Sequence, residues 1–308
     1  MTDTNDDKIE KPQPVLDDVP RIINGINYLI QRVNELQNHV TCLYGLTCDV
    51  PNIPDAKGHM QLHQQALLQL AKMVDKDLTQ AGIQYFLAYG NLLGAARNGK
   101  FVPWDDDMDF CLMRYDFDRA VELLTKKYNR GLFRTTWGKS GGIFKILFMN
   151  KICLDLFPWD IYSKRTKGTE DVEAFRTKHR IAMDEARKWE RGESEYDGYV
   201  DITNKILLEN EAPDPKGDIF EGIDWQLFSE RIVGFYHNFL WRYEYVFPLR
   251  QIKFCGHNFS APNNVDAWLT ARYGDWQSFA PEFSRHTRPK FTYEELDLLR
   301  AFVNGSIK

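Results

Sequence analysis

The sequence predicts an α+β fold, a mixed sheet flanked by helices with a helical insertion and an N-terminal coiled-coil helix. Three observations predict it. Short strand-like runs such as Ile83–Tyr89 and Ile143–Phe157 are interleaved with segments of helical period. A charge-rich stretch at about 163–218 interrupts that alternation, and its composition favours helices. Ahead of both, Ile22, Ile26, Leu29, Val33, Leu36, Val40 and Leu43 recur at spacings of four and three, which is an a/d seam.

Taken in order, residues 1–20 are acidic and poor in apolar side chains, and read as a disordered tail. Residues 21–49 carry the seam and read as an oligomerisation helix. The seam predicts a homodimer through residues 22–43, although Gly25 weakens its start. Residues 50–60 read as a linker, and 61–308 as the main domain. In that domain a helix is expected from Gln61 to Ala81, with Leu62, Ala66, Leu67, Leu70 and Val74 on one face and Gly82 ending it. A strand over Ile83–Tyr89 leads into a turn and short helix over Gly90–Arg97. Asp107–Leu112 reads as a second strand and Phe117–Tyr128 as a helix. Ile143–Met149 and Ile152–Phe157 read as a hairpin turning at Asn150-Lys151. Helices follow at about Trp225–Phe239, Asn264–Tyr273 and Tyr293–Asn304.

The 308 residues are 43% hydrophobic and 14% aromatic, enough for a sizeable core. A net charge of −5 argues against a nucleic-acid binder, which would show a basic surface. The five cysteines, Cys42, Cys48, Cys111, Cys153 and Cys255, form no CxxC pair and read as reduced thiols. No signal peptide and no apolar run long enough to span a membrane occurs, so a cytoplasmic protein is expected.

Pro103-Trp104-Asp105-Asp106-Asp107-Met108-Asp109-Phe110 carries the most chemistry. Carboxylates packed this closely repel one another, so a cation must offset them. On a strand Asp107 and Asp109 point to one face, with Met108 and Phe110 on the other. Paired carboxylates suit Mg²⁺, or Mn²⁺, completed by water and substrate phosphate. An EF-hand loop is excluded, because its sixth and twelfth positions would be Phe110 and Asp116 instead of glycine and glutamate. Gly94–Lys100 imitates a P-loop, but Phe101 stands where the Ser or Thr is required. A glycine turn at Gly90, a helix N-terminus and then Asp-x-Asp on a strand follow the logic of a nucleotidyltransferase fold. The third acid is available at Asp155, between Leu154 and Leu156. Gly90 and Asn91 at the helix start, with Arg97, are candidate phosphate-binding groups, as is Lys145.

Gly90-Asn91-Leu92-Leu93-Gly94-Ala95-Ala96-Arg97 followed by Phe101–Asp109 resembles the LicD family signature. So do Leu154-Asp155-Leu156-Phe157-Pro158-Trp159-Asp160, and the C-terminal blocks Phe247-Pro248, Pro262-Asn263 and Arg272-Tyr273-Gly274-Asp275-Trp276. The resemblance implies a nucleotidyltransferase fold in a LicD-like catalytic domain. It also implies metal-dependent transfer of phosphocholine from CDP-choline, or of a related substituent such as ribitol phosphate, to a glycan hydroxyl. On that basis Asp107, Asp109 and Asp155 hold the metal, and Asp155 or Asp105 takes the acceptor proton. A choline headgroup calls for aromatic faces, and Trp104, Trp159, Tyr273 and Trp276 are candidates, with Asp160 beside the headgroup or acceptor. His257 and His286 read as structural or surface groups, and His59 and His63 lack the glutamate of a zinc protease motif. The alternatives are a sugar-nucleotide glycosyltransferase, another nucleotidyltransferase and a coiled-coil scaffold.

Overall fold

The structure, a computed structural model, describes residues 22–33, 35–36, 53–138, 142–212, 214–233, 239–278 and 290–307. The acidic tail, the first three residues of the linker, Val40, Leu43, Cys42, Cys48 and His286 lie outside those residues. Contacts divide the chain into residues 1–49 and 50–308. In the first unit, residues 22–33 and 35–36 are helical, and Ile22, Ile26, Leu29, Val33 and Leu36 are all exposed.

The second unit begins with α1 (Gly58–Gln80), which starts before the expected Gln61 and buries Ala66, Leu67, Leu70, Ala71, Val74 and Leu78. Then follow β1 (Phe86–Leu87), α2 (Tyr89–Asn98), β2 (Met108–Met113), α3 (Arg114–Lys127), β3 (Phe133–Trp137), β4 (Phe144–Phe148) and β5 (Ile152–Ile161). Among the described residues these strands and β6 (Ile219–Glu221) form a mixed sheet in the order β1-β2-β5-β4-β3, with β6 on the far end of β5. β2 and β5 are parallel, and the other pairs are antiparallel. The expected strand at Ile83–Tyr89 shrinks to Phe86–Leu87, because Tyr89 already turns into α2 with φ of 46°.

The register of the sheet positions the chemistry. Asp109 of β2 lies opposite Asp155 of β5, and Asp155 lies opposite Lys145 of β4. Three side chains from three strands therefore share one row on one face. The β4–β5 turn is centred on Met149-Asn150, both at positive φ (55° and 56°), one residue earlier than the expected Asn150-Lys151. Left-handed conformation at both central positions is what a tight hairpin demands.

The charged stretch forms α4 (Thr169–Glu190), the short α5 (Tyr199–Ile202) and a π-helical turn at Thr203–Leu207. It has its own apolar cluster, including Phe175, Met183, Ile202 and Leu207, joined by Phe220 of β6 and by Ile223 and Leu227 of α6 (Ile223–Val233). His179 is fully buried within α4 near the Phe175 ring, and burial pushes its imidazole down to about 4. Between pH 6.5 and about 4 the unfolded chain therefore binds a proton that the folded chain does not. Stability falls across that window by about 3 kcal/mol, at about 1.4 kcal/mol per pH unit. His179→Met is expected to flatten the fall in urea-unfolding midpoint between pH 7 and pH 4.5. A variant with the wild-type pH profile contradicts this assignment.

The chain continues through α7 (Tyr243–Val246), the hairpin β7 (Arg250–Phe254) and β8 (His257–Ala261), α8 (Val265–Tyr273) and α9 (Tyr293–Val303). α9 packs on α1, and Phe302 stacks on Phe148 with ring centroids 4.0 Å apart. Among the described residues no helix is long and apolar enough to cross a membrane. Cys111, Cys153 and Cys255 are free thiols.

Candidate active site

A cleft of about 380 Å³ opens over the Asp109–Asp155–Lys145 row. One carboxylate oxygen from each of Asp107, Asp109 and Asp155 lies within 4.8 Å of the others. Burial pushes the Asp109 carboxyl well above the usual carboxylate range, and Asp107, Asp155 and Asp105 push it further. Lys145 works against that rise. Its ammonium is bonded to Asp155, and although burial opposes its charge, Asp155, Cys153 and Asp107 together offset the penalty and raise its pKa. The Cys153 thiol donates to the other oxygen of Asp155 at 2.7 Å.

The loop that delivers the acids is pinned from behind. Asn91, fully buried on the first turn of α2, donates to the Asp105 carboxylate at 3.0 Å and to the Asp107 carbonyl at 3.1 Å, and accepts from the Asp109 amide at 2.5 Å. Gln64 of α1 donates to the carbonyls of Val102 and Asp105, each at 3.0 Å. A His63 ring nitrogen lies 2.8 Å from the Asp106 carbonyl. Gly90 leaves room for Asp105: a Cβ there would sit 2.7 Å from a carboxylate oxygen. These contacts hold the carboxylates together at fixed positions, which charge repulsion alone would oppose.

Among the residues singled out in the sequence, Gly90, Arg97, Trp104, Asp105, Asp107, Asp109, Lys145, Asp155 and Tyr273 line this cleft. Arg97 gives Nε and Nη2 to the Trp276 carbonyl, the former at 2.9 Å, and Nη2 also to the Ser278 carbonyl. It thereby ties α2 to the chain after α8. Asn91 stands behind the acids, with both ends of its amide engaged in the loop. Trp159 is buried among Phe86, Trp241 and Trp268. Asp160 takes two bonds from Arg114, at 3.0 and 2.8 Å. The Trp276 indole donates to Asp266 at 3.1 Å. His257 pairs with Asp75 at 2.8 Å, a structural contact.

Sequence reasoning missed the wall facing the acids. Tyr89, Phe157, Trp225, Phe228 and Arg272 also line the cleft. Trp225 and Phe228, three apart on a helix, carried a signal as one face, and Arg272 as the neighbour of Tyr273. His63 and Gln64 were visible as polar residues within the buried stripe of α1.

Comparison with known proteins meets this geometry at the acidic row. Residues 82–189 match the family model described as LicD/FKTN/FKRP, nucleotidyltransferase domain. The chain is 32% identical over 115 residues to the ribitol 5-phosphate transferase FKRP of Homo sapiens, a stretch covering 35% of this chain and 23% of that protein. It is 44% identical over 41 residues to the lipopolysaccharide cholinephosphotransferase LicD of Haemophilus influenzae, covering 13% of this chain and 16% of that one. An uncharacterized protein of Rickettsia prowazekii, RP689, is 33% identical over 92 residues, 30% of this chain and 32% of its own length. The matches thus span a third or less of each relative. Residues 82–189, a minority of the chain, thus resemble that family's domain, and they include Asp105, Asp107, Asp109 and Asp155.

Proposed function

We propose that the cleft transfers a phosphate-linked substituent, phosphocholine or a polyol phosphate, from a CDP-linked donor to a hydroxyl of a bacterial surface glycan, on a nucleotidyltransferase-type fold. The observation that carries this reading is the convergence of Asp107, Asp109 and Asp155 within 4.8 Å in a cleft inside the family-matched segment. The relatives named as transferases of ribitol phosphate and of phosphocholine support it.

The donor set fits a divalent cation. Three hard carboxylate oxygens converge where burial and mutual repulsion disfavour their charge, so a bound Mg²⁺ or Mn²⁺ relieves both. Such an ion supplies charge neutralisation on phosphate oxygens when bound. Asp107, Asp109 and Asp155 would hold it. The residues of the chain do the rest. The acceptor oxygen forms a bond to the phosphorus that bears the substituent. The bond from that phosphorus to the CMP oxygen breaks, and CMP leaves with the electron pair. The hydroxyl proton passes to a carboxylate, since a sugar hydroxyl is a weak acid. We assign that role to Asp105, because Asp155 is committed to Lys145. Asn91 holds the Asp105 carboxylate in place.

Titration calorimetry with Mg²⁺ and CDP-choline, CDP-ethanolamine, CDP-glycerol, CDP-ribitol and UDP-glucose tests the donor. Selective binding of one CDP donor is expected and names the group moved, whereas preference for UDP-glucose sinks the reading in favour of a glycosyltransferase. The same proposal places the enzyme in the cytoplasm, to be checked by cell fractionation. It also makes the enzyme a homodimer through the seam at residues 22–43. Light scattering should show a halved mass for a chain starting at Asp55, and an unchanged mass removes the dimer role.

A further inference from the structure

The acids of the cleft belong to the family-matched segment, but much of the facing wall does not. Trp225 and Phe228 of α6, with Arg272 and Tyr273 at the end of α8, come from chain beyond residue 189. Behind that wall lies a buried charge outside the acidic row. Glu221, 1% exposed at the end of β6, accepts hydrogen bonds from the Tyr89 hydroxyl at 3.2 Å, Trp225 Nε1 at 3.1 Å and Gln226 Nε2 at 3.0 Å. Burial pushes its carboxyl up, and the nearby charge of Arg272 is the largest influence pulling it back. A carboxylate buried this deeply persists only with a compensating cation and satisfied oxygens, and both conditions are met here. The Arg272 guanidinium lies 5.3 Å from the ring centre of Tyr89 and 5.9 Å from that of Tyr273. Contact with two rings, one of them the Tyr89 ring whose hydroxyl Glu221 holds, thus sets where this cation sits, on the wall of the cleft that holds Asp107, Asp109 and Asp155.

We propose that Arg272 is a substrate-binding residue that takes a phosphate oxygen of the donor, and that buried Glu221 is the positioning residue that aims it. This rests on the reading of the donor as a nucleoside diphosphate derivative. A phosphate entering a cleft with this many carboxylates meets repulsion, and a cation lining the same cleft offsets it. Two further cations line the cleft, Lys145 bonded to Asp155 and Arg97 bonded to the carbonyls of Trp276 and Ser278. A planar guanidinium also matches phosphate geometry better than an ammonium does. One corollary concerns the transferred group. The faces of Tyr89 and Tyr273 nearest Arg272 already serve a cation, so a quaternary ammonium would compete with that guanidinium for them.

The test is calorimetry on the full chain with Mg²⁺, using CDP and inorganic pyrophosphate as probes. Arg272→Gln is expected to weaken both by about 10- to 100-fold, the worth of a charge-assisted hydrogen bond. Arg272→Lys recovers part of that loss, and Glu221→Gln gives a smaller loss. All three variants should keep the Mg²⁺-dependent rise in Tm, a readout of the acidic row. Affinities within about 2-fold of wild type in Arg272→Gln overturn the proposal. So does a loss of affinity accompanied by loss of the Mg²⁺ effect, which marks a collapsed wall. Wild-type protein that binds pyrophosphate through Arg272 but not CDP keeps this inference and removes the nucleotide reading. Binding of CDP that is indifferent to Arg272 does the reverse, and binding of neither probe removes both.

Discussion

Asp109→Asn is expected to lower transfer by about 10³-fold while raising the thermal midpoint of the metal-free protein. The two effects have one cause. Asp109 is 7% exposed and surrounded by Asp105, Asp107 and Asp155, so both burial and its neighbours oppose its charge. Asparagine keeps the shape and removes the charge, which relieves the folded state. The same charge is what a divalent ion needs, and charge stabilisation by a bound ion contributes several kcal/mol to phosphoryl chemistry. Added Mg²⁺ should therefore raise Tm in wild type and not in Asp109→Asn. A variant that is inactive and also less stable than metal-free wild type would show that Asp109 serves the fold and not a metal site.

Arg114→Met is expected to cost about 3–5 kcal/mol, the loss associated with breaking a buried ion pair. The Arg114 guanidinium, at the start of α3, bonds Asp160 of β5 and also Asp224 of α6 at 2.9 and 3.0 Å. Those partners more than offset the burial that opposes its charge. Removing it strands two carboxylates that are themselves buried. Adding Asp160→Asn and Asp224→Asn to the methionine variant should recover most of the loss, because what is costly is the uncompensated charge. Urea unfolding measures both. A loss below about 1 kcal/mol would mean that water reaches the stranded carboxylates. Because Asp224 adjoins Trp225, this ion triad also anchors the helix that presents Trp225 and Phe228 to the cleft.

The acidic row was legible because a carboxylate amid apolar neighbours on a strand has few structural explanations. Asp107-Met108-Asp109 and Leu154-Asp155-Leu156 both fit that pattern, and pairing of β2 with β5 sets Asp109 beside Asp155. Trp159 was misplaced by the same alternation. It shares parity with Asp155, but β5 is ten residues long and its far end leaves the cleft to pair with β6 and pack under Trp241. Asp160 was read as a ligand contact because nothing local announces Arg114, 46 residues earlier. Asn91 was read as a phosphate donor, whereas its amide braces the acid loop. The β7–β8 hairpin escaped notice because its turn is Cys255-Gly256, with φ of 47° and 80°, instead of the usual Asn-Gly or Asp-Gly. Long-range partners, in each case, decide what a local pattern leaves open.

The central claim, a metal-dependent CDP-donor site built on Asp107, Asp109 and Asp155, is tested most directly by donor binding with and without a divalent ion. Calorimetry of wild type and Asp109→Asn with the CDP-linked donors, in Mg²⁺ and in EDTA, reads it without knowledge of the acceptor. The account predicts binding of a CDP donor by wild type in Mg²⁺ that is lost both in EDTA and in the folded Asp109→Asn variant. Donor binding indifferent to the metal and to Asp109 would contradict it.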